Sequence, residues 1–77
     1  MKQKKICVIG LGYIGLPTAA LLANHGYVVS GVDLNDDIVS TVNKGKIHIV
    51  EDGLSSAVKL AFSTGNLKAY NEIQLSN

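Results

Sequence analysis

Cysteine is nearly absent from this sequence. Cys7 is the only thiol in 77 residues, so the chain cannot close a disulfide within itself and nothing in it calls for an oxidising compartment. Cys7 lies inside an apolar run and reads as a small buried hydrophobe rather than a catalytic thiol. Neither sign of charge is in excess. Seven Lys+Arg oppose six Asp+Glu, a net charge of +1, which leaves no basic face for a nucleic acid. Lys2, Lys4 and Lys5 read as a solvated N-terminal cluster. His25 and His48 have no second ligand at metal spacing, so no metal is expected. No Ser-His-Asp or Cys-His grouping is present, and no catalytic residue is assigned within the chain. Repeats and low-complexity segments are missing too. The run from Ile6 to Ala23 resembles a signal peptide or a short membrane span. However, Gly10, Gly12, Gly15 and Pro17 interrupt it, and Ala20-Leu21-Leu22-Ala23 is no cleavage pattern. A cytoplasmic protein with no membrane partner is expected.

What the chain does contain is Val8-Ile9-Gly10-Leu11-Gly12-Tyr13-Ile14-Gly15-Leu16-Pro17. An apolar strand, Lys5 to Ile9, runs into a G-x-G-x-x-G turn that opens a helix through Thr18 to Ala23. This order builds a dinucleotide pyrophosphate site, because unpaired N–H groups and the positive end of the helix dipole face the phosphates. Gly10 permits the turn, Gly12 lets the backbone approach the pyrophosphate, and Gly15 allows close packing of helix and strand. The strand's near-continuous apolar character suggests a parallel sheet covered on both faces. Pro17 suits the helix's first turn, and Gly26, preceded by His25, suits its end. A second strand, Tyr27 to Val32, ends at Asp33, 18 residues beyond Gly15. There the fingerprint needs an acceptor for the adenosine ribose hydroxyls. A carboxylate at that point repels a 2′-phosphate, so NAD is preferred over NADP.

Asn35 is a suitable N-cap for a second helix, with Asp36 and Asp37 matched to its dipole and Ile38, Val39 and Val42 as its apolar stripe. Lys44 and Gly45 mark its end. Residues 46–51 read as an extended loop. Leu54, Ala57, Val58, Ala61 and Phe62 form the apolar face of a third helix, closed by Gly65. Leu67 to Tyr70 is a short third strand, and residues 71–77 are a polar tail. The fold class is therefore α/β, a partial Rossmann fold. It is the first half of a doubly wound parallel sheet, with strand order 3-2-1 and crossover helices. Residues 1–77 form the N-terminal part of a dinucleotide-binding domain whose complete form has six strands. The first strand then keeps an unpaired apolar edge, so the isolated chain is expected to be a homo-oligomer.

The segments Gly10 to Pro17, Gly31-Val32-Asp33, Asn43 to Glu51, Leu54, and Gly65-Asn66-Leu67-Lys68-Ala69 together resemble the UDP-glucose/GDP-mannose dehydrogenase family. The resemblance covers nearly the whole chain and weakens after Ala69. It implies oxidation of a nucleotide-sugar C6 hydroxymethyl to a carboxylate, with two NAD reduced in succession and a cysteine holding the intermediate. That cysteine belongs to a region beyond these residues, and Cys7 does not match it. By resemblance, Tyr13 and Ile14 join Gly10, Gly12 and Gly15 at the pyrophosphate, and Asp33 holds the ribose. Ile47-His48-Ile49-Val50-Glu51 is most similar to members acting on UDP-N-acetyl-D-mannosamine, and members using UDP-glucose usually carry proline at the position of His48. Glu51 matches a family acid without an assigned role. The implied setting is surface polysaccharide synthesis. Two other readings stand beside it: a UDP-glucose-type dehydrogenase of the same family, and a non-catalytic NAD-binding domain. By itself the 77-residue chain is expected to be inactive.

Overall fold

The computed structural model of the chain describes residues 4–73. Lys2 of the basic cluster and residues 74–77 of the polar tail lie outside the described residues. Six elements follow one another: β1 (Lys5–Ile9), α1 (Gly15–Asn24), β2 (Val28–Val32), α2 (Asp36–Val42), α3 (Leu54–Ser63) and β3 (Leu67–Tyr70). The three strands pair in parallel in the order β1-β2-β3, the 3-2-1 half-sheet expected of the sequence.

Two consecutive crossovers running in the same direction place their helices on one face of the sheet, because such connections are right-handed. The inward rows are Ile6, Val29 and Leu67, and Val8, Gly31 and Ala69. Against them pack Leu16, Ala19, Ala20 and Ala23 of α1 and Leu54, Val58 and Ala61 of α3. Alanine on three of the four buried α1 positions keeps that helix close to both the sheet and α3. The apolar faces read from the periodicity of α2 and α3 are the ones that pack, with Ile38, Val39, Ala57 and Phe62 half-buried at their margins.

The sequence reading of β1 needs correction. Its burial alternates, with Lys5, Cys7 and Ile9 exposed and Ile6 and Val8 half-buried. No described helix covers the second face of the sheet, so an apolar strand suited to double coverage is covered once. Cys7 is accordingly exposed and not the buried hydrophobe its surroundings in sequence suggest. The other edge of the sheet is treated differently. The Asn43 side chain accepts from Ala69 N–H at 2.8 Å and donates to Ala69 C=O at 2.9 Å, so one amide side chain pairs with β3 as a neighbouring strand would.

Candidate functional site

The turn between β1 and α1 begins with Gly10 at φ +90, a conformation an L side chain resists. Its N–H donates to Val32 C=O at 2.7 Å, which ties the turn to the end of β2. The turn is tight because Gly15 crosses the Gly10 carbonyl. A Cβ at Gly15 would lie 1.7 Å from that oxygen. The close approach expected of the third glycine is therefore to the turn itself, and Val8 of the strand stands farther off at 3.7 Å. At Gly12 an added Cβ would meet nothing within 4 Å, so the backbone there faces open space.

Beyond Gly12 the chain enters α1 without protection. Ile14 is the N-cap residue and makes no side-chain cap, and no acid stands in the first turn. The N–H groups of Gly12, Tyr13 and Ile14 have no acceptor among the described residues. The side chains of Tyr13 and Ile14 point outward, 74% and 83% exposed. Helix α2 shows the contrast. There Asn35 Oδ1 accepts from Asp37 and Ile38 N–H at 2.9 and 3.3 Å, and Asp36 and Asp37 occupy the first turn. One helix start is closed by its own residues, while the other offers consecutive donors and a positive dipole end to an anion.

Leu11, between the first two glycines, is the anchor of the turn. Its side chain is fully buried and lies over Gly31, where a Cβ would come within 2.8 Å of it. Burial of a leucine stabilises by roughly 1.5–3 kcal/mol. Its peptide groups are held from both sides. Leu11 N–H donates to Asp33 Oδ2 at 3.0 Å, and Leu11 C=O accepts from His48 Nε2 at 2.5 Å. The other oxygen of Asp33, Oδ1, accepts from Asn35 N–H at 2.9 Å. These bonds hold the Asp33 carboxyl below the usual carboxylate range, the Leu11 amide contributing most, then the Asn35 amide, with a smaller electrostatic contribution from His48; partial burial works against them. A carboxylate has about four lone-pair sites, so two accepted bonds leave acceptor capacity for a ligand hydroxyl. Beside Asp33 an open cleft of about 470 Å³ is lined by Ile9, Gly10, Val32, Leu34, Asn71, Glu72 and Ile73.

All six residues singled out from the sequence, Gly10, Gly12, Tyr13, Ile14, Gly15 and Asp33, thus fall on one end of the sheet. The residue missed was His48. It was weighed as a metal ligand and read as a marker of substrate class, and its contact with the turn was not foreseen. The one available signal was its place between two apolar residues, Ile47 and Ile49, in a loop with no other polar inward group. His25 behaves as its neighbour Gly26 suggested, with Nδ1 2.8 Å from the Leu21 carbonyl at the end of α1.

Residues 4–76 match the UDP-glucose/GDP-mannose dehydrogenase family, NAD binding domain. The chain is 60% identical over 65 residues to UDP-N-acetyl-D-mannosamine dehydrogenase of Campylobacter jejuni, an alignment covering 84% of this chain and 16% of that protein. Among solved structures, the UDP-N-acetyl-mannosamine dehydrogenase Cap5O from Staphylococcus aureus superposes with a TM-score of 0.90 at 41% identity, covering 95% of this chain and 18% of the other. A UDP-glucose dehydrogenase from Pyrobaculum islandicum gives a TM-score of 0.87 at 37% identity, covering 92% and 16%. The chain therefore spans about a sixth of the length of the relatives it matches. The fingerprint turn, its acid and a match over nearly every residue agree: this chain belongs to the UDP-glucose/GDP-mannose dehydrogenase family, within its NAD binding domain.

Proposed function

We propose that this chain supplies the pyrophosphate and adenosine-ribose half of the NAD site in a nucleotide-sugar 6-dehydrogenase, of which residues 1–77 are the N-terminal part. The observation that carries the site is the run of unpaired amides at Gly12, Tyr13 and Ile14 with a hydrogen-bonded carboxylate, Asp33, beside it. These residues fit the cofactor. The amides and the α1 dipole suit two phosphates, the absent Gly12 side chain leaves room for them, and Asp33 retains acceptor capacity for a ribose diol. The apolar cleft beside Asp33 receives the adenosine end. NAD, when bound, supplies the hydride acceptor. This chain's residues bind and orient it, and the described residues supply no catalytic group.

The proposed reaction is oxidation of UDP-N-acetyl-D-mannosamine to UDP-N-acetyl-D-mannosaminuronate with two NAD, in the cytoplasm and toward polysaccharide synthesis. Identity of 60% to the UDP-N-acetyl-D-mannosamine dehydrogenase of Campylobacter jejuni supports this sugar. Among the superposed structures the identity is 41% to the UDP-N-acetyl-mannosamine enzyme against 37% to the UDP-glucose enzyme. UDP-glucose is the second reading, favoured by the near-equal superposition on the UDP-glucose enzyme. No helix among the described residues is long and apolar enough to cross a membrane.

Titration of NAD into the ¹⁵N-labelled chain tests the site. The amide resonances of Gly12, Tyr13, Ile14 and Asp33 should shift together and saturate. Shifts scattered away from the turn, or none, would overturn the assignment. NADH formation by the full-length gene product with each of the two UDP-sugars in turn decides the substrate.

A further inference from the structure

We infer that His48 is a positioning residue for the cofactor, holding the Leu11 peptide so that the turn and Asp33 keep one geometry. The inference rests on the reading of this turn as an NAD cradle. The connection is continuous in hydrogen bonds. His48 Nε2 meets the Leu11 carbonyl, and the Leu11 amide meets Asp33 Oδ2. A carbonyl only accepts, so Nε2 carries the hydrogen. Both the neutral Nε2–H tautomer and the imidazolium provide that donor, and the bond does not depend on the charged form.

The Leu11 carbonyl has few alternative partners. It lies four residues before Gly15, where a regular helix would send an N–H back to it. Here the start of α1 makes its first such return one residue later, from Leu16 to Gly12 at 3.0 Å. His48 therefore takes the place of a helical donor, and it does so from a different segment. That segment is fixed at both ends, by Lys46 N–H to Thr41 C=O at 3.1 Å and Leu54 N–H to Glu51 C=O at 3.1 Å. Its middle is pinned by Ile49, which is buried in the core. The imidazole is thus mounted on a braced loop 37 residues away in sequence and reaches the turn from outside it. The Gly10–Val32 bond and the buried Leu11 side chain hold the turn as a whole. The His48 and Asp33 bonds, one on the carbonyl and one on the amide, set the orientation of the Leu11 backbone polar groups within it.

A positioning role makes a claim about selectivity that a purely stabilising role does not. Asp33 separates NAD from NADP by its placement against the ribose 2′ position. If His48 fixes that placement, loss of its donor narrows the ratio of the two affinities. Loss of folded protein would lower both in proportion and leave the ratio alone.

The test is a pair of separate NMR titrations, with NAD and with NADP, on the chain and on two variants of similar side-chain length. His48→Gln keeps an N–H donor, and His48→Met removes it. For His48→Met the NAD-to-NADP affinity ratio should fall about five- to tenfold, the size of one lost hydrogen bond, and His48→Gln should keep most of it. An unchanged ratio in His48→Met, or an equal fall in both variants, overturns the inference while leaving the cofactor reading intact. A wild-type chain that binds neither dinucleotide overturns both. The imidazole ¹⁵N shifts of the wild-type chain are read in parallel, whether or not His48→Met folds. They should report hydrogen on Nε2, and a neutral Nδ1–H tautomer would also overturn the inference.

Discussion

The Asp33 carboxylate and the Leu11 amide, 22 residues apart, are joined by a 3.0 Å hydrogen bond across the mouth of the turn. The acid expected to recognise a ribose therefore also builds the turn proposed to cradle the phosphates. Asp33→Ala should act twice, weakening NAD binding with a narrower preference over NADP and destabilising the fold by about 2 kcal/mol, in the range for hydrogen bonds to a charged group. Calorimetric titration and urea unfolding of the same variant measure the two effects separately. Equal affinity of the unmutated chain for NAD and NADP would refute the recognition role.

The same carboxylate gives stability a pH dependence of known sign. Its folded-state pKa lies below the unfolded value of about 3.9. Its contribution is therefore complete above about pH 4 and is lost as pH falls through the lower, folded value. The stability gap between the wild type and Asp33→Ala should be full at neutral pH and shrink in acid. A gap of the same size at both ends of that range would show that the bond does not stabilise the fold.

Glycines 12 and 15 should separate binding from folding. Gly15→Ala places a methyl 1.7 Å from the Gly10 carbonyl, a backbone atom that cannot rotate away. A loss at or above the upper end of the 1–3 kcal/mol typical of overpacking, about 3 kcal/mol, is expected in thermal unfolding. Gly12→Ala meets nothing within 4 Å and should fold as the wild type does. Its methyl would occupy the space assigned to the pyrophosphate, so NAD affinity should drop at least tenfold. A folded Gly12→Ala chain with undiminished affinity would place the phosphates elsewhere.

The isolated 77-residue chain should have no dehydrogenase activity. Its described residues present binding groups without a nucleophile beside them, and Cys7 stands on the open face of β1, away from the helix side of the sheet. Steady NADH production by the purified chain with UDP-N-acetyl-D-mannosamine would show this expectation to be wrong.

Self-association through β1 is also expected. The strand pairs with β2 on one side only, and Cys7 and Ile9 are exposed, Ile9 by 70%. Sedimentation at rising concentration should show a dimer. A monomer throughout, with β1 amides still protected from exchange, would exclude it.

The order of elements, the strand order and the residues of the turn were legible because each rests on a local signal. The 3.6-residue stripe of α3, the N-cap Asn35 and the spacing of the glycines to Asp33 are all readable within one stretch of chain. The role of Leu11 was less so. It stands in the turn as the variable residue between Gly10 and Gly12, and only the missing side chain of Gly31, 20 residues on, makes room for it. His48 was out of reach for the same reason: its partner is a backbone carbonyl, which has no residue type to recognise. The exposure of Cys7 and Ile9 was misjudged because apolar composition records what a strand is suited to meet, while burial records what it meets.

The side-chain amide of Asn43, by satisfying both polar groups of Ala69, makes the β3 border of the sheet less adhesive than the β1 border. An object sticky chiefly on a single side favours a closed pair over further growth. A sheet open on both sides could add copies without limit, as fibrils do. Replacing Asn43 would therefore bear on whether the protein stays soluble as much as on how well it folds.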